Sequence, residues 1–133
     1  MNSERQALIE AATRAAGNSR CPISGFQVGA ALQVLNGPIV AGCNIENSTL
    51  SLAMCAERVA LFNAISSGHV DFTELVIVAP KARQLCPPCG SCRQLIWEFA
   101  REARIVLVAP DGTQEELVIT DLLPRPFDER YFS

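Results

Sequence analysis

From Phe26 onward the side chains alternate with a period of two: Phe26, Val28, Ala30, Leu32 and Val34 interleave with Gln27, Gly29, Ala31 and Gln33. That period belongs to a β-strand, whose successive side chains point to opposite faces. Asn36-Gly37 follows and signals a two-residue hairpin, so residues 39–45 are expected to return antiparallel beside the first strand. A chain carrying this hairpin has to be built on a sheet.

The flanking segments have helical and buried-strand signatures. Residues 4–16 read as an amphipathic helix: Ser3 and Gln6 supply a Ser-x-x-Gln capping box, Ala7, Leu8, Ala11, Ala12 and Ala15 share one face, and Gly17-Asn18 ends it. A second helix is expected over residues 55–67, stopped by Gly68, and a third over residues 89–101, opened by Pro87-Pro88. Residues 75–79 and 104–109 read as buried strands, 117–120 as a last short strand, and 121–123 as a helical turn ended by Pro124. Right-handed crossovers lay helices on both faces of a sheet. The expected fold is therefore α/β, a three-layer α/β/α sandwich with one mixed five-stranded sheet. With no internal repeat or linker, residues 1–133 are expected to form a single domain.

Composition narrows the partners. A formal net charge of −3 gives no basic excess with which to track phosphates, so nucleic acid is not an expected partner. The apolar stretches are strand-sized, far short of the roughly 20 residues that span a bilayer, so no membrane is expected either. Residues 1–5 lack the basic start and apolar run of an export signal. A cytoplasmic location follows as an expectation, and with it reduced thiols rather than disulfides for the six cysteines.

Two groups of those cysteines carry chemistry. Cys89 and Cys92 are three apart at a helix start, where two thiolates converge on one ion. The same spacing serves a redox pair, so a second element has to decide. Cys55-Ala56-Glu57 is that element. Residues two apart on a helix point about 200° away from each other. Cys55 and Glu57 therefore reach one site only at the helix end, with Cys55 folded over the tip. Three protein ligands and an open position describe catalytic zinc, and four describe structural zinc. Cys86 would supply a fourth thiol and a closed structural site, the basis of a zinc-stabilised interaction module without catalysis. Three thiolates leave a zinc site with net charge −1, which Arg58 and two helix N-termini would offset. His69 reads as a solvated turn residue, and Cys21 and Cys43 as packed or surface thiols rather than ligands.

Cys55-Ala56-Glu57-Arg58 with Pro88-Cys89-Gly90-Ser91-Cys92-Arg93-Gln94 resembles the cytidine deaminase family, in its small three-cysteine type. Residues 26–32, 42–47, Leu122-Leu123-Pro124 and Phe127 match family segments in order. The resemblance implies one Zn²⁺ per chain on Cys55, Cys89 and Cys92, with Glu57 as the catalytic acid and base. It implies substrate contacts from Phe26, Asn44, Glu46, Ala56 and Phe127, and a role for Arg58 in hydrogen-bonding the ligand sulfurs. The implied activity is hydrolytic deamination of cytidine and 2′-deoxycytidine in pyrimidine salvage, with a nucleoside as the small-molecule partner. A homotetramer with active sites completed by neighbouring subunits is implied as well. The chain departs from the family at Ile23 and Leu50, where related chains carry tyrosine. That departure leaves a deaminase of modified cytosine nucleosides, blasticidin-like or C4/N4-substituted, as the alternative.

Overall fold

The computed structural model describes residues 3–132. Five strands form one mixed sheet in the order β2-β1-β3-β4-β5: β1 Gly29–Val34, β2 Ile39–Cys43, β3 Phe72–Val78, β4 Arg104–Val108 and β5 Gln114–Leu117. β3 and β4 run parallel and the other neighbours antiparallel. Helix α1 (Ser3–Ala16) packs on one face; α2 (Ala56–Ser66) packs on β1 and β2 from the other, with α3 (Gly90–Phe99) beside it. The expected α/β/α sandwich is formed.

Alternation along β1 divides the core. Ala30, Leu32 and Val34 join α2 and α3 residues such as Ala60 and Ile96 in one cluster, while Ala31 joins Leu8, Ala11 and Ala12 of α1 in the other. Gly29 and Gly42 let the helices approach. A Cβ at Gly29 would sit 1.9 Å from the Ala12 carbonyl oxygen, and one at Gly42 would sit 2.5 Å from the Ala60 nitrogen. Over the outer part of the sheet, Arg5 of α1 bridges Glu74 and Glu116, tying α1 to β3 and β5.

Four local expectations change. Ser3 is already helical, so it does not cap α1. The hairpin connection spans residues 35–38, with Asn36 alone at positive φ (54°), because Val34 and Pro38 close a wider turn through a backbone hydrogen bond of 3.1 Å. The first strand begins at Gly29, not Phe26, because the Asn44 side chain takes the Phe26 carbonyl and the Val28 N–H in place of a strand partner. The last strand lies at Gln114–Leu117, and residues 119–122 form α4 (Ile119–Leu122). Among the described residues no helix is long and apolar enough to cross a membrane.

Candidate metal centre and active site

Two helix ends meet at one point. Cys55 is the N-cap residue of α2 and Cys89 that of α3, each with extended backbone, and neither side chain is used to cap its own helix. Both thiols are thereby free to turn across the helix tips. Cys92 sits one turn into α3 and is buried at 1% exposure. The Sγ atoms of Cys55 and Cys89 are 3.6 Å apart and those of Cys89 and Cys92 3.4 Å, and all three lie within 4.8 Å of one another. Tetrahedral zinc with Zn–S near 2.3 Å holds its sulfurs about 3.8 Å apart. The donor set fits one Zn²⁺ without rearrangement of the backbone. Cys86 is not part of this trio; its thiol points to the Pro87 carbonyl at 3.9 Å, so four thiols do not close around the site.

Charge supports the same centre. The Arg58 Nη2 donates to Cys55 Sγ at 3.4 Å and reaches the Ala53 carbonyl at 3.5 Å. Hydrogen bonding from Cys92, with Arg58 and Cys89 adding to it, brings the Cys55 thiol down to about 5. The partnership with the Cys55 thiolate, together with burial, pushes Cys92 up. Binding of a metal cation would displace the protons that these thiols hold. Arg58 Nε is buried without a hydrogen-bond partner among the described residues, so the guanidinium is held by its outer nitrogen and by charge.

Beside the thiols lies a cavity of about 290 Å³, just below the roughly 300–1,000 Å³ usual for small-molecule sites. Phe26, Asn44, Glu46, Cys55, Ala56, Glu57, Arg58 and Cys89 all line it, so the structure gathers nearly every candidate residue around one space. Glu57 is 6% exposed. Burial pushes its carboxyl up to about 7 in the metal-free chain, with the charge on Cys55 adding to the effect. A carboxyl poised there exchanges protons readily near neutral pH. β2 ends at Cys43, short of the expected 39–45, so Asn44 and Glu46 lie just beyond the strand rather than on it, and each is bonded to the neighbouring loop.

Three residues behave differently. Phe127 does not line its own chain's cavity; it is 61% exposed and stacks with Tyr131 at 5.7 Å. Ile23 and Leu50 are exposed and line no part of the cavity, and Ile23 enters the site only through its backbone N–H, bonded to Glu46. Ser24, Met54, Cys86 and Pro87 line the cavity without having been singled out for substrate contact. Ser24 was findable only through its hydrogen bonds.

The α3 helix also carries the C-terminal segment. Arg93 donates to the Pro88 and Leu122 carbonyls at 2.8 and 3.0 Å, and Gln94 to the Phe127 carbonyl at 2.7 Å. Trp97 Nε1 donates to the fully covered Asp128 at 2.8 Å, with the Arg101 guanidinium 3.9 Å above its ring. The helix that presents Cys89 and Cys92 thus anchors the residues around Phe127.

Three thiols at two helix tips and a buried carboxyl over one small cavity define a zinc-dependent hydrolytic deaminase centre on an α/β/α sandwich. The model of the cytidine and deoxycytidylate deaminase zinc-binding region matches residues 2–109. The chain is 41% identical over 125 residues to a cytidine deaminase of Halalkalibacterium halodurans, covering 93% of this chain and 94% of that protein. It is 41% identical over 127 residues to one of Sporosarcina psychrophila, covering 95% and 93%. The crystal structure of cytidine deaminase from Burkholderia pseudomallei superposes with a TM-score of 0.89 at 38% identity, covering 96% of this chain and all (100%) of that one. The chain belongs to the cytidine deaminase family.

Proposed function

We propose that the chain, acting as a single domain over residues 1–133, deaminates cytidine and 2′-deoxycytidine hydrolytically, releasing ammonia and the uridine-type nucleoside. The observation that carries this reading is the placement of the buried Glu57 carboxyl in the wall of the same cavity as the thiols of Cys55 and Cys89.

Cys55, Cys89 and Cys92 hold one Zn²⁺, and Arg58 offsets the charge of the thiolates. When bound, zinc supplies the Lewis acidity that makes water a nucleophile at neutral pH. Glu57 would accept a proton from the attacking water and give it to N3 of the pyrimidine, then take the second proton from the new C4 hydroxyl and give it to the departing amino group. Water is consumed and the C4–N bond is replaced by a C4–O bond, so the atoms balance as nucleoside plus ammonia. Phe26 packs beside the base, the Ala56 backbone contacts it, and Asn44 and Glu46 take ribose hydroxyls. Phe127, exposed on its own chain, reaches a neighbour's cavity in a homotetramer. A cytoplasmic enzyme of pyrimidine salvage fits these roles.

The test is incubation of the zinc-loaded protein with cytidine, following pyrimidine absorbance and released ammonia. Stoichiometric conversion to uridine is expected. An intact, zinc-loaded protein that leaves cytidine unchanged would overturn the proposal.

A further inference from the structure

Besides Glu57, the cavity wall carries one carboxylate among the described residues, that of Glu46. A single loop holds it. Glu46 Oε1 accepts the backbone N–H groups of Ile23 and Ser24 at 2.9 and 3.0 Å, and Oε2 accepts the Ser24 hydroxyl at 2.5 Å. The same hydroxyl oxygen accepts the N–H of Phe26 at 3.0 Å. One serine oxygen therefore joins the backbone of an aromatic on the cavity wall to the carboxylate beside it. Each bond in such a relay polarises the next.

Counting acceptors shows what is left for a ligand. An ionised carboxylate offers about four lone-pair positions. The loop fills two on Oε1 and one on Oε2, leaving Oε2 one acceptor position. The Ser24 hydroxyl and its own N–H hold the Glu46 carboxyl below its usual range, which keeps it an acceptor. Across the wall, Asn44 Oδ1 accepts the Val28 N–H at 2.9 Å and Nδ2 donates to the Phe26 carbonyl at 2.7 Å, leaving Nδ2 one N–H. One acceptor and one donor lining the same cavity match a hydroxyl group, which donates and accepts at once.

The fold does not require the Ser24 hydroxyl. The loop is closed without it by the Gly25 N–H on the Cys21 carbonyl at 2.9 Å and by the left-handed backbone of Gly25 (φ 68°). Ser24 is itself exposed and fills no core position.

We propose that Ser24 is a positioning and specificity-determining residue, whose hydroxyl orients Glu46 so that Oε2 presents one acceptor to a ring hydroxyl of the nucleoside sugar. This rests on the nucleoside reading of the cavity. Without the hydroxyl, the carboxylate keeps its Oε1 contacts and turns about its terminal torsion, which is broad. The sugar contact then loosens while Glu57 and the thiols are untouched.

Steady-state kinetics on zinc-loaded wild type, Ser24→Ala and Ser24→Thr, each with cytidine and with 2′,3′-dideoxycytidine, test this. Ser24→Ala is expected to raise KM for cytidine about tenfold, the size set by a hydrogen bond to a charged group, with kcat changed by less than about twofold. KM for 2′,3′-dideoxycytidine, which lacks the ring hydroxyls, should match that of wild type, and Ser24→Thr should restore the cytidine value. Calorimetric binding of uridine and 2′,3′-dideoxyuridine should repeat the pattern without turnover. Equal losses on both nucleosides, a loss confined to kcat, or no loss in Ser24→Ala would overturn the role of Ser24 while leaving the deaminase reading in place. A wild-type protein that neither converts cytidine nor binds uridine would overturn both.

Discussion

Arg58 donates to the sulfur of Cys55 at 3.4 Å, from the helix that Cys55 itself begins. The contact is local in sequence and acts on the metal centre, because it favours the thiolate form that binds a cation.

Arg58→Gln should therefore keep the fold and lose about 10–100-fold in zinc affinity or in rate, the range for groups that support metal ligands. Competition with a chromogenic chelator, beside circular dichroism, measures both halves. A variant with wild-type zinc retention and wild-type turnover would show that the guanidinium is incidental to the site.

Glu57→Gln separates proton transfer from ligation. Glu57 lines the cavity but contributes none of the three clustered sulfurs. The variant should hold one zinc per chain by elemental analysis and turn over at least about 100-fold more slowly. Cys89→Ala should instead lose the metal. If both variants lost zinc alike, Glu57 would have to be reassigned as a ligand.

Acid stability should report on Asp128. Chiefly through the Arg130 guanidinium, opposed by burial and helped by the Trp97 N–H, its carboxyl is brought from 3.8 down to about 2. The folded value lies below the unfolded one, so on acidification the unfolded chain takes up the proton first. The stabilisation is then complete above pH 3.8 and lost as the pH falls through about 2. Denaturation curves of wild type and Asp128→Asn should be well separated at neutral pH and draw together toward pH 2. A gap of constant size from pH 6 to pH 2 would mean that the pairing does not stabilise the fold.

Gly29→Ala should destabilise the chain by about 1–3 kcal/mol or more, because a Cβ there would sit 1.9 Å from the Ala12 carbonyl oxygen and force α1 off the sheet. Urea denaturation gives the value directly. An unchanged midpoint would mean that α1 does not press on β1 at Gly29.

Much of this is legible in the sequence. The period of two at residues 26–34, the Cys89/Cys92 pair at one helix start and Cys55 at another need only local rules, and they pointed to the sheet and the metal trio. Glu57 was legible because a thiol and a carboxylate two apart converge only at a helix tip. The shift of the last strand was not. Gln114, Glu115 and Glu116 carry no apolar alternation, since β5 is an edge strand whose side chains face solvent. Its Glu116 is held by Arg5, 111 residues away. Nor was the strand start at Gly29 legible, because it depends on an amide from Asn44 replacing a ladder partner at Phe26 and Val28. Side-chain bonds across such separations leave no periodic trace.

The chain has one tryptophan. Its indole lies between the guanidinium of Arg101 and the carboxylate of Asp128, on the helix that presents Cys89 and Cys92 and against the segment that carries Phe127. An indole's emission follows the charges around its ring. The fold has thus placed an intrinsic fluorophore on the cysteine-bearing helix and against the C-terminal segment, where movement of that segment would change the light it gives off without any added label.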